Sequence, residues 1–187
     1  KGCIDAKRSR WGSSKSFYTM FNEACNFDLQ SLNKNYCYTF VLVHKDNRIV
    51  TKYNDPNLYL VHVRDMTTLE SRPRDEVYNV NFTRPKVLSF ESYEDLEQSL
   101  TELSYEKEGF MLYDSENTDV RVKLKGDAYV KVKNMKGNDK NKRYGLLKKI
   151  LQNTETDYLR RFAEDYETVK ELEHDLKSLI VSILYYY

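Results

Sequence analysis

The hydrophobic pattern of this chain changes its period near residue 138, and this change constrains the fold more than any other feature. Before it, short segments rich in aromatic and β-branched residues alternate with polar turns, which is typical of strands. Beyond it, apolar residues recur at the spacing of an amphipathic helix. The first helical stripe consists of Leu146, Leu147, Ile150 and Leu151. The sequence therefore predicts two domains, a mixed α and β domain over residues 1–138 and a small all-α domain over residues 139–187.

The first domain is expected to contain two helices and six short strands. Polar residues around Ser16 would cap a helix that runs to about Asn26, and Ser92 would cap a second helix. Polar residues at 44–47 predict a hairpin turn. The expected strands are 36–43, 48–52, 59–63, 110–113, 120–125 and 129–132.

Composition excludes several classes of protein. No stretch approaches the roughly 18 consecutive apolar residues of a membrane span, and the first residues do not resemble a signal peptide. The three cysteines lack a C-x-x-C spacing and the three histidines are scattered, so neither a disulfide framework nor a metal cage of His and Cys is predicted. We expect a cytoplasmic or otherwise intracellular protein with no membrane partner, and the oligomeric state stays open.

Charge is divided along the chain although the net charge is only +1. Residues 91–119 hold ten acids and one lysine, whereas residues 121–149 hold eleven lysines or arginines and two acids. The basic segment also contains Tyr129 and Tyr144, and basic residues interleaved with aromatic ones favour a phosphate-binding surface. A solvated face would produce the same charge run, so charge alone leaves both interpretations open.

Two short segments carry residues suited to phosphate chemistry. Glu108 immediately precedes Gly109 and an apolar strand, whereas Lys123 and Lys125 lie two positions apart in the next strand and so share one face. Neighbouring ammonium groups repel each other unless solvent or a polyanion, such as a nucleoside triphosphate, lies between them. Glu108 could bind the accompanying Mg²⁺. The alternative is an ordinary exposed strand face beside an acid that merely starts a strand.

These segments resemble the motifs of one enzyme family. The matching segments are 108–110 for motif IV, 122–125 with Asp127 and Tyr129 for motif V, 40–43 and 47–50 for motif III and its Asn-Arg-Ile-Val extension, and Lys1-Gly2 for a pair that follows motif I. In this order and spacing they resemble the phage-type ATP-dependent RNA ligases, which belong to the covalent nucleotidyltransferase superfamily. The resemblance covers about residues 1–138.

The resemblance implies a fold and a reaction. The fold would be α+β, with an antiparallel-sheet, ATP-grasp-like nucleotidyltransferase core whose C-terminal part occupies residues 1–138. The reaction would join RNA 5′-phosphate and 3′-hydroxyl ends through lysyl-AMP and RNA-adenylate, as in RNA repair or processing. ATP and Mg²⁺, or alternatively Mn²⁺, would be the cofactors, and RNA ends would be the partners. A virus-encoded protein would fit this reaction.

The resemblance also implies roles for particular residues. Glu108, Lys123 and Lys125 would be catalytic, with Glu108 either holding the metal or orienting the nucleophilic lysine. Nucleotide contacts would come from Lys1, Gly109, Lys123, Lys125 and Tyr129. Weaker contacts with RNA would come from Arg48, Lys131, Lys133 and Lys136.

Two features depart from the family pattern. No lysine of this chain lies in a Lys-x-acid-Gly box, so the nucleophile is expected upstream of residue 1 and the chain alone is expected to be inactive. Val41 stands where motif III usually has a ribose-binding acid. These departures leave two alternatives, namely a catalytically decayed ligase-like protein with a binding or structural role, and a capping-type guanylyltransferase that transfers GMP.

Overall fold

The computed structural model describes residues 4–10, 13–73, 76, 80–114 and 119–186. The chain divides into two compact units, Lys1–Tyr129 and Val130–Tyr187. The division between the two units falls within a helix. The domain boundary at residue 138, which follows from the change of hydrophobic period, remains a prediction. In the part of the chain that the structure describes, no helix is both long and apolar enough to cross a membrane.

Two capped helices of the first unit confirm the sequence prediction. α1 (Phe17–Ala24) follows Ser16, whose hydroxyl oxygen accepts a hydrogen bond from the backbone N–H of Thr19. α2 (Tyr93–Thr101) follows Ser92, which accepts a backbone N–H of the first turn in the same way. Each cap satisfies a donor that helix geometry leaves without an intrahelical partner.

An antiparallel hairpin supplies the core of the first unit. β1 (Tyr36–Val43) pairs with β2 (Asn57–Asp65), and a bulge in the ladder leaves one extra residue, Val61, in β2. One face of the hairpin packs on aromatic rings. The cluster consists of Leu60, Val63 and Phe82, with Phe27, Leu32, Tyr36, Tyr38, Phe40 and Val80 packed against it.

A second antiparallel hairpin joins the two segments that carry the predicted site. β3 (Gly109–Tyr113) pairs with β4 (Arg121–Lys125), and Gly109 lies opposite Lys125. Gly109 has a φ of 144°, and a Cβ at this position would lie 1.9 Å from the carbonyl oxygen of Leu124. Both the backbone conformation and the available space therefore require glycine.

The α+β class is confirmed in its coarse form, since the structure combines helices with small antiparallel sheets. We expected one antiparallel sheet, but the described residues form two separate two-stranded sheets. The ATP-grasp-like nucleotidyltransferase core remains an expectation.

The strand expected at residues 48–52 and the hairpin turn expected at 44–47 are wrong. His44 instead caps a 3-10 turn, with its Nδ1 accepting a backbone N–H. Nε of Arg48 donates to the carbonyl oxygen of Val50, whose side chain is buried. This segment is therefore a loop in which Val50 packs inward while Ile49 is 48% exposed, and β1 pairs with a segment further along the chain.

The strand expected at residues 129–132 is also wrong, because this segment lies in helix α3 (Asp127–Lys136). Tyr129 and Val132 are both buried, and a separation of three residues places them on one face of a helix. Asp127 in the first turn also suits the helix dipole. An apolar run this short fits the alternation of a strand as well as the spacing of a helix. The burial of both side chains favours the helix.

The second unit is helical, as the apolar spacing beyond residue 138 predicts, and it has a small core. α4 (Lys142–Leu151), α5 (Glu155–Leu159) and α6 (Tyr166–Tyr186) follow α3. The buried apolar side chains of this unit include Val132, Leu146, Tyr158, Phe162, Val169 and Leu172. The hydroxyl of Tyr158 donates to the buried carboxylate of Asp165 at 2.5 Å, so a polar contact joins two helical segments inside this core.

Replacement of Gly109 should disrupt the pairing of β3 with β4 and so destabilise the protein. Gly109→Ala places a methyl group against the backbone of Leu124, so we expect a loss of at least about 2 kcal/mol in the free energy of unfolding. Gly137→Ala is the matched control, because Gly137 also has a positive φ of 78° but nothing closer than 3.8 Å to its Cβ position. This control should lose only about 1 kcal/mol. Urea denaturation measures both, and equal losses would contradict the steric argument.

Candidate functional site

The second hairpin brings Glu108, Lys123 and Lys125 into direct contact. Alternate residues of β4 share a face, so both lysine side chains project from the same side. Oε1 of Glu108 lies 2.8 Å from Nζ of Lys123 and 3.1 Å from Nζ of Lys125. The carboxylate therefore lies between the two ammonium groups and offsets their mutual repulsion. We call these three residues the lysine cluster.

The lysine cluster is accessible to a ligand. The side chains of Glu108, Lys123 and Lys125 are 38%, 45% and 34% exposed. Burial raises the pKa of Glu108, but hydrogen bonds from the two lysines outweigh this effect and hold that pKa below its usual range. Ion pairs with this exposure contribute little net stability. A bound anion can therefore replace the Glu108 carboxylate between the lysines.

Gly109 and Tyr129, which the sequence also assigned to the nucleotide site, relate to the lysine cluster through Glu108. Gly109 permits the close approach of β3 to β4 that holds Glu108 beside the lysines. Tyr129 is only 4% exposed. Its burial, together with the negative charge of Glu108, raises the pKa of Tyr129 to about 12. The phenol is therefore neutral near pH 7, and protein encloses the ring.

The residues expected to contact RNA have other surroundings. Nε of Arg48 donates to a backbone carbonyl at 2.9 Å, a contact within its own turn. Lys131 and Lys133 are exposed on α3. Nζ of Lys136 lies 5.5 Å from the ring centroid of Phe162, so part of its charge interacts with an aromatic face. Their contacts with RNA remain predictions.

Two positions that the family pattern marks add nothing to the lysine cluster. Val41 lies on β1 and is 49% exposed, so an apolar side chain meets solvent where the motif has an acid. Lys1 lies outside the described residues. Neither position supplies a described carboxylate or ammonium group to the site.

A metal ion fits this site only in company with phosphate groups. Within the described ranges, no three or more His, Cys, Asp or Glu side chains are grouped to hold a metal ion. Glu108 offers one carboxylate, and Mg²⁺ commonly binds one or two carboxylates together with substrate phosphates and water. The residues present therefore suit a metal that arrives with a nucleotide, and they do not form a cage of their own.

A second charged cluster lies at the start of β4, and sequence reasoning missed it. Arg121 shares the face of Lys123, because it lies two residues earlier in the same strand. Its Nη2 lies 3.6 Å from Oδ1 of Asp119, and the same oxygen accepts a hydrogen bond from Arg64 at 3.0 Å. Alternation along β4 could have identified Arg121. No local sequence pattern predicts the contact of Asp119 with Arg64, which is 55 residues away in sequence.

Comparison with known proteins connects part of this chain with one enzyme. No family model matches the chain. Over 75 residues it is 37% identical to a protein named RNA ligase from Rhodothermus phage RM378. This part of the chain is RNA ligase-like. The match covers 34% of the chain and 17% of the phage protein, so the chain matches only a minor part of the length of that relative.

The lowered pKa of Glu108 predicts a pH-dependent stability. The contribution of the ionised carboxylate is present above the ordinary pKa of 4.5 and is lost as the pH falls through the lower pKa of the folded state. Glu108→Gln removes this contribution. We expect the wild type to exceed the variant by roughly 0.5 kcal/mol in the free energy of unfolding at neutral pH, and by less in strong acid. Urea denaturation across this pH range measures the difference.

A lysine-free background is the matched control for this experiment. When Lys123→Met and Lys125→Met are combined, burial alone acts on Glu108 and raises its pKa, so the effect of Glu108→Gln on the pH dependence of stability should reverse its sign. An effect of unchanged sign in this background would show that the lysines are not the cause.

Proposed function

We propose that this chain is part of an ATP-dependent RNA ligase and supplies a phosphate-binding part of its nucleotidyltransferase domain. The observation that carries the proposal is the contact of Glu108 with Lys123 and Lys125 across paired strands. The partial similarity to a phage RNA ligase supports it. The order of these residues along the chain is also that of motifs IV and V.

In the proposed reaction, three displacements occur at phosphorus. The nitrogen of a lysine attacks the α-phosphorus of ATP, and pyrophosphate leaves. An oxygen of an RNA 5′-phosphate then attacks the same phosphorus, and the lysine leaves. Finally, a 3′-hydroxyl oxygen attacks the phosphorus of the RNA 5′-phosphate, and AMP leaves. Charge shifts among phosphate oxygens in each step, so fixed cations beside the α-phosphate lower the barrier.

The two lysines of the lysine cluster would bind the α-phosphate. Lys123 and Lys125 form a pair of charge-assisted donors, and a phosphate between them would take the place of the Glu108 carboxylate. Their positive charges would also lower the pKa of a nearby nucleophilic lysine and so favour its unprotonated form. Glu108, once displaced, would hold the metal or orient the nucleophile.

The metal would be Mg²⁺, with Mn²⁺ as an alternative that accepts the same oxygen ligands. It would neutralise charge on the phosphates of ATP, with Glu108 as the protein ligand. Arg48, Lys131, Lys133 and Lys136 would add sequence-independent attraction for the RNA backbone.

Val41 favours a second candidate function. An exposed valine at the motif III position cannot accept a hydrogen bond from a ribose hydroxyl, which weakens the case for an active adenylyltransferase. The chain would then belong to a ligase-like protein that binds phosphates without catalysis, or to a guanylyltransferase. Competition between ATP and GTP for the wild-type chain tests the guanylyltransferase alternative, which predicts preferential binding of GTP.

Charge reversal in the lysine cluster should abolish tight ATP binding. Lys123→Glu or Lys125→Glu removes one charge-assisted contact and adds a repulsive carboxylate, so we expect at least about a tenfold loss of affinity. Lys34→Glu, at an exposed lysine elsewhere in the first unit, is the control for net charge and should change affinity little. Isothermal titration calorimetry with Mg²⁺ and ATP measures all three. Unchanged affinity in both cluster variants would remove these lysines from the site.

The chain as given should form no covalent adduct with AMP. It has no Lys-x-acid-Gly box, and both lysines of the lysine cluster are paired with Glu108. Incubation with α-labelled ATP and Mg²⁺, followed by denaturing electrophoresis, measures the adduct. A stable label on any lysine of this chain would contradict the proposal that the nucleophile lies outside it.

A further inference from the structure

Four side chains of the first unit converge on one oxygen of Asp119. Oδ1 of Asp119 accepts hydrogen bonds from Oγ of Ser71 at 2.5 Å and from Nη2 of Arg64 at 3.0 Å. Nη2 of Arg121 and Nε2 of His62 each lie 3.6 Å from the same oxygen. Two guanidinium groups, a hydroxyl and an imidazole thus surround one carboxylate oxygen, and such a set of donors is a receptor for an anion. We call these four side chains the donor cluster.

His62 takes part in the donor cluster as a neutral donor. Burial lowers the pKa of His62, and the positive charges of Arg121 and Arg64 lower it further. The carboxylate of Asp119 opposes this shift without reversing it. Nε2 of His62 lies 2.6 Å from Oγ of Ser71. Because the Ser71 hydroxyl donates to Asp119, its oxygen accepts the Nε2–H of His62, and this fixes the hydroxyl proton towards the anion.

The donor cluster contains one N–H group that the carboxylate of Asp119 does not bind. Nε of Arg64 is buried and has no hydrogen-bond partner among the residues that the structure describes. A terminal phosphate offers three oxygens, and guanidinium groups bind such oxygens through paired N–H groups. A phosphate would therefore bind the Nε–H of Arg64 as well as its Nη2, which Asp119 Oδ1 does not do.

Asp119 occupies a position from which it can withdraw. It lies in the turn between β3 and β4 and outside the ladder of both strands. The donors, in contrast, belong to β2 and β4, except for Ser71, which is bridged to Arg64 by backbone pairing. Strands hold the donors in place, whereas a turn residue can leave without disturbing a sheet.

The donor cluster adjoins the lysine cluster along β4. Arg121 and Lys123 are consecutive residues on one face, a separation of about 6.8 Å along a strand. Lys123 is proposed to bind the α-phosphate. Transfer of AMP to RNA requires the RNA 5′-phosphate to reach that phosphorus, so the sites for the two phosphates must be neighbours.

We propose that Arg64, Ser71 and Arg121 bind the terminal 5′-phosphate of an RNA strand, with His62 orienting the Ser71 hydroxyl, and that Asp119 occupies this site in the absence of RNA. The anion receptor rests on geometry, and the choice of RNA as its ligand rests on the proposed function. Since the phosphate must displace Asp119, removal of the Asp119 charge should strengthen its binding.

Fluorescence anisotropy with a short single-stranded RNA tests this proposal on the whole chain. The RNA is used with either a 5′-phosphate or a 5′-hydroxyl, and without ATP. Asp119→Asn should tighten binding of the phosphorylated RNA by about tenfold and leave the hydroxyl form nearly unchanged. Glu97→Gln, which removes one charge from an exposed position of α2, is the control and should leave the ratio of the two affinities unchanged. Equal tightening of both RNAs by Asp119→Asn would overturn the proposal.

Variants of the donors should weaken the binding of phosphorylated RNA, whereas Asp119→Asn should strengthen it. The donor variants therefore test the proposal even if Asp119→Asn has a folding defect. Ser71→Ala and Arg121→Gln should each reduce the preference for phosphorylated RNA by about tenfold. Inorganic phosphate should compete with the phosphorylated RNA for binding to the Asp119→Asn variant. Unchanged preference in both donor variants, or no competition by phosphate, would overturn the assignment.

Measurements of ATP binding distinguish a failure of this proposal from a failure of the proposed ligase function. If Lys123→Glu abolishes ATP binding but Asp119→Asn and the donor variants leave RNA binding unchanged, only the donor-cluster proposal fails. If the donor variants abolish the 5′-phosphate preference while Lys123→Glu leaves ATP binding unchanged, the ligase function fails and the phosphate site stands. Tighter binding of ATP, instead of phosphorylated RNA, to Asp119→Asn would assign the donor cluster to the nucleotide and overturn the RNA assignment.

Discussion

The register of β3 against β4 fixes the candidate site. Gly109 lies opposite Lys125, and its missing side chain lets the backbone of β3 approach Leu124 more closely than any other residue would allow. This register places Glu108, which immediately precedes β3, within contact of both lysines of β4. A shift of one residue would turn Lys123 and Lys125 to the opposite face and leave the acid without cations.

Local patterns predict the lysine cluster and several elements, while burial and long-range contact decide the rest. Alternation along a strand is enough to place Lys123 and Lys125 on one face, and Ser16 and Ser92 mark the starts of α1 and α2 through their hydroxyl groups. Residues 129–132 show the limit, since so short an apolar run fits a strand or a helix until its buried partners are known. The donors around Asp119 come from segments far apart in sequence, and no local pattern brings them together.

Both charged clusters on β4 have the same construction. An acid of the protein lies where cations converge, Glu108 in one and Asp119 in the other. Such an arrangement keeps a strongly basic strand stable without a ligand, because like charges on one face would otherwise repel. In the proposed function, phosphate binding would then exchange one acid for another.

The extra residue in β2 sets which side chains can meet Asp119. Leu58 and Leu60 are buried, and strict alternation would turn His62 and Arg64 to the same face. Because the bulge leaves Val61 outside the ladder, the alternation of faces resumes one residue later. Val63 is therefore the next buried residue, and His62 and Arg64 face the opposite way. The bulge thus lets the end of a core strand carry part of a polar surface. If Val61 took a place in the ladder instead, His62 and Arg64 would face the aromatic core.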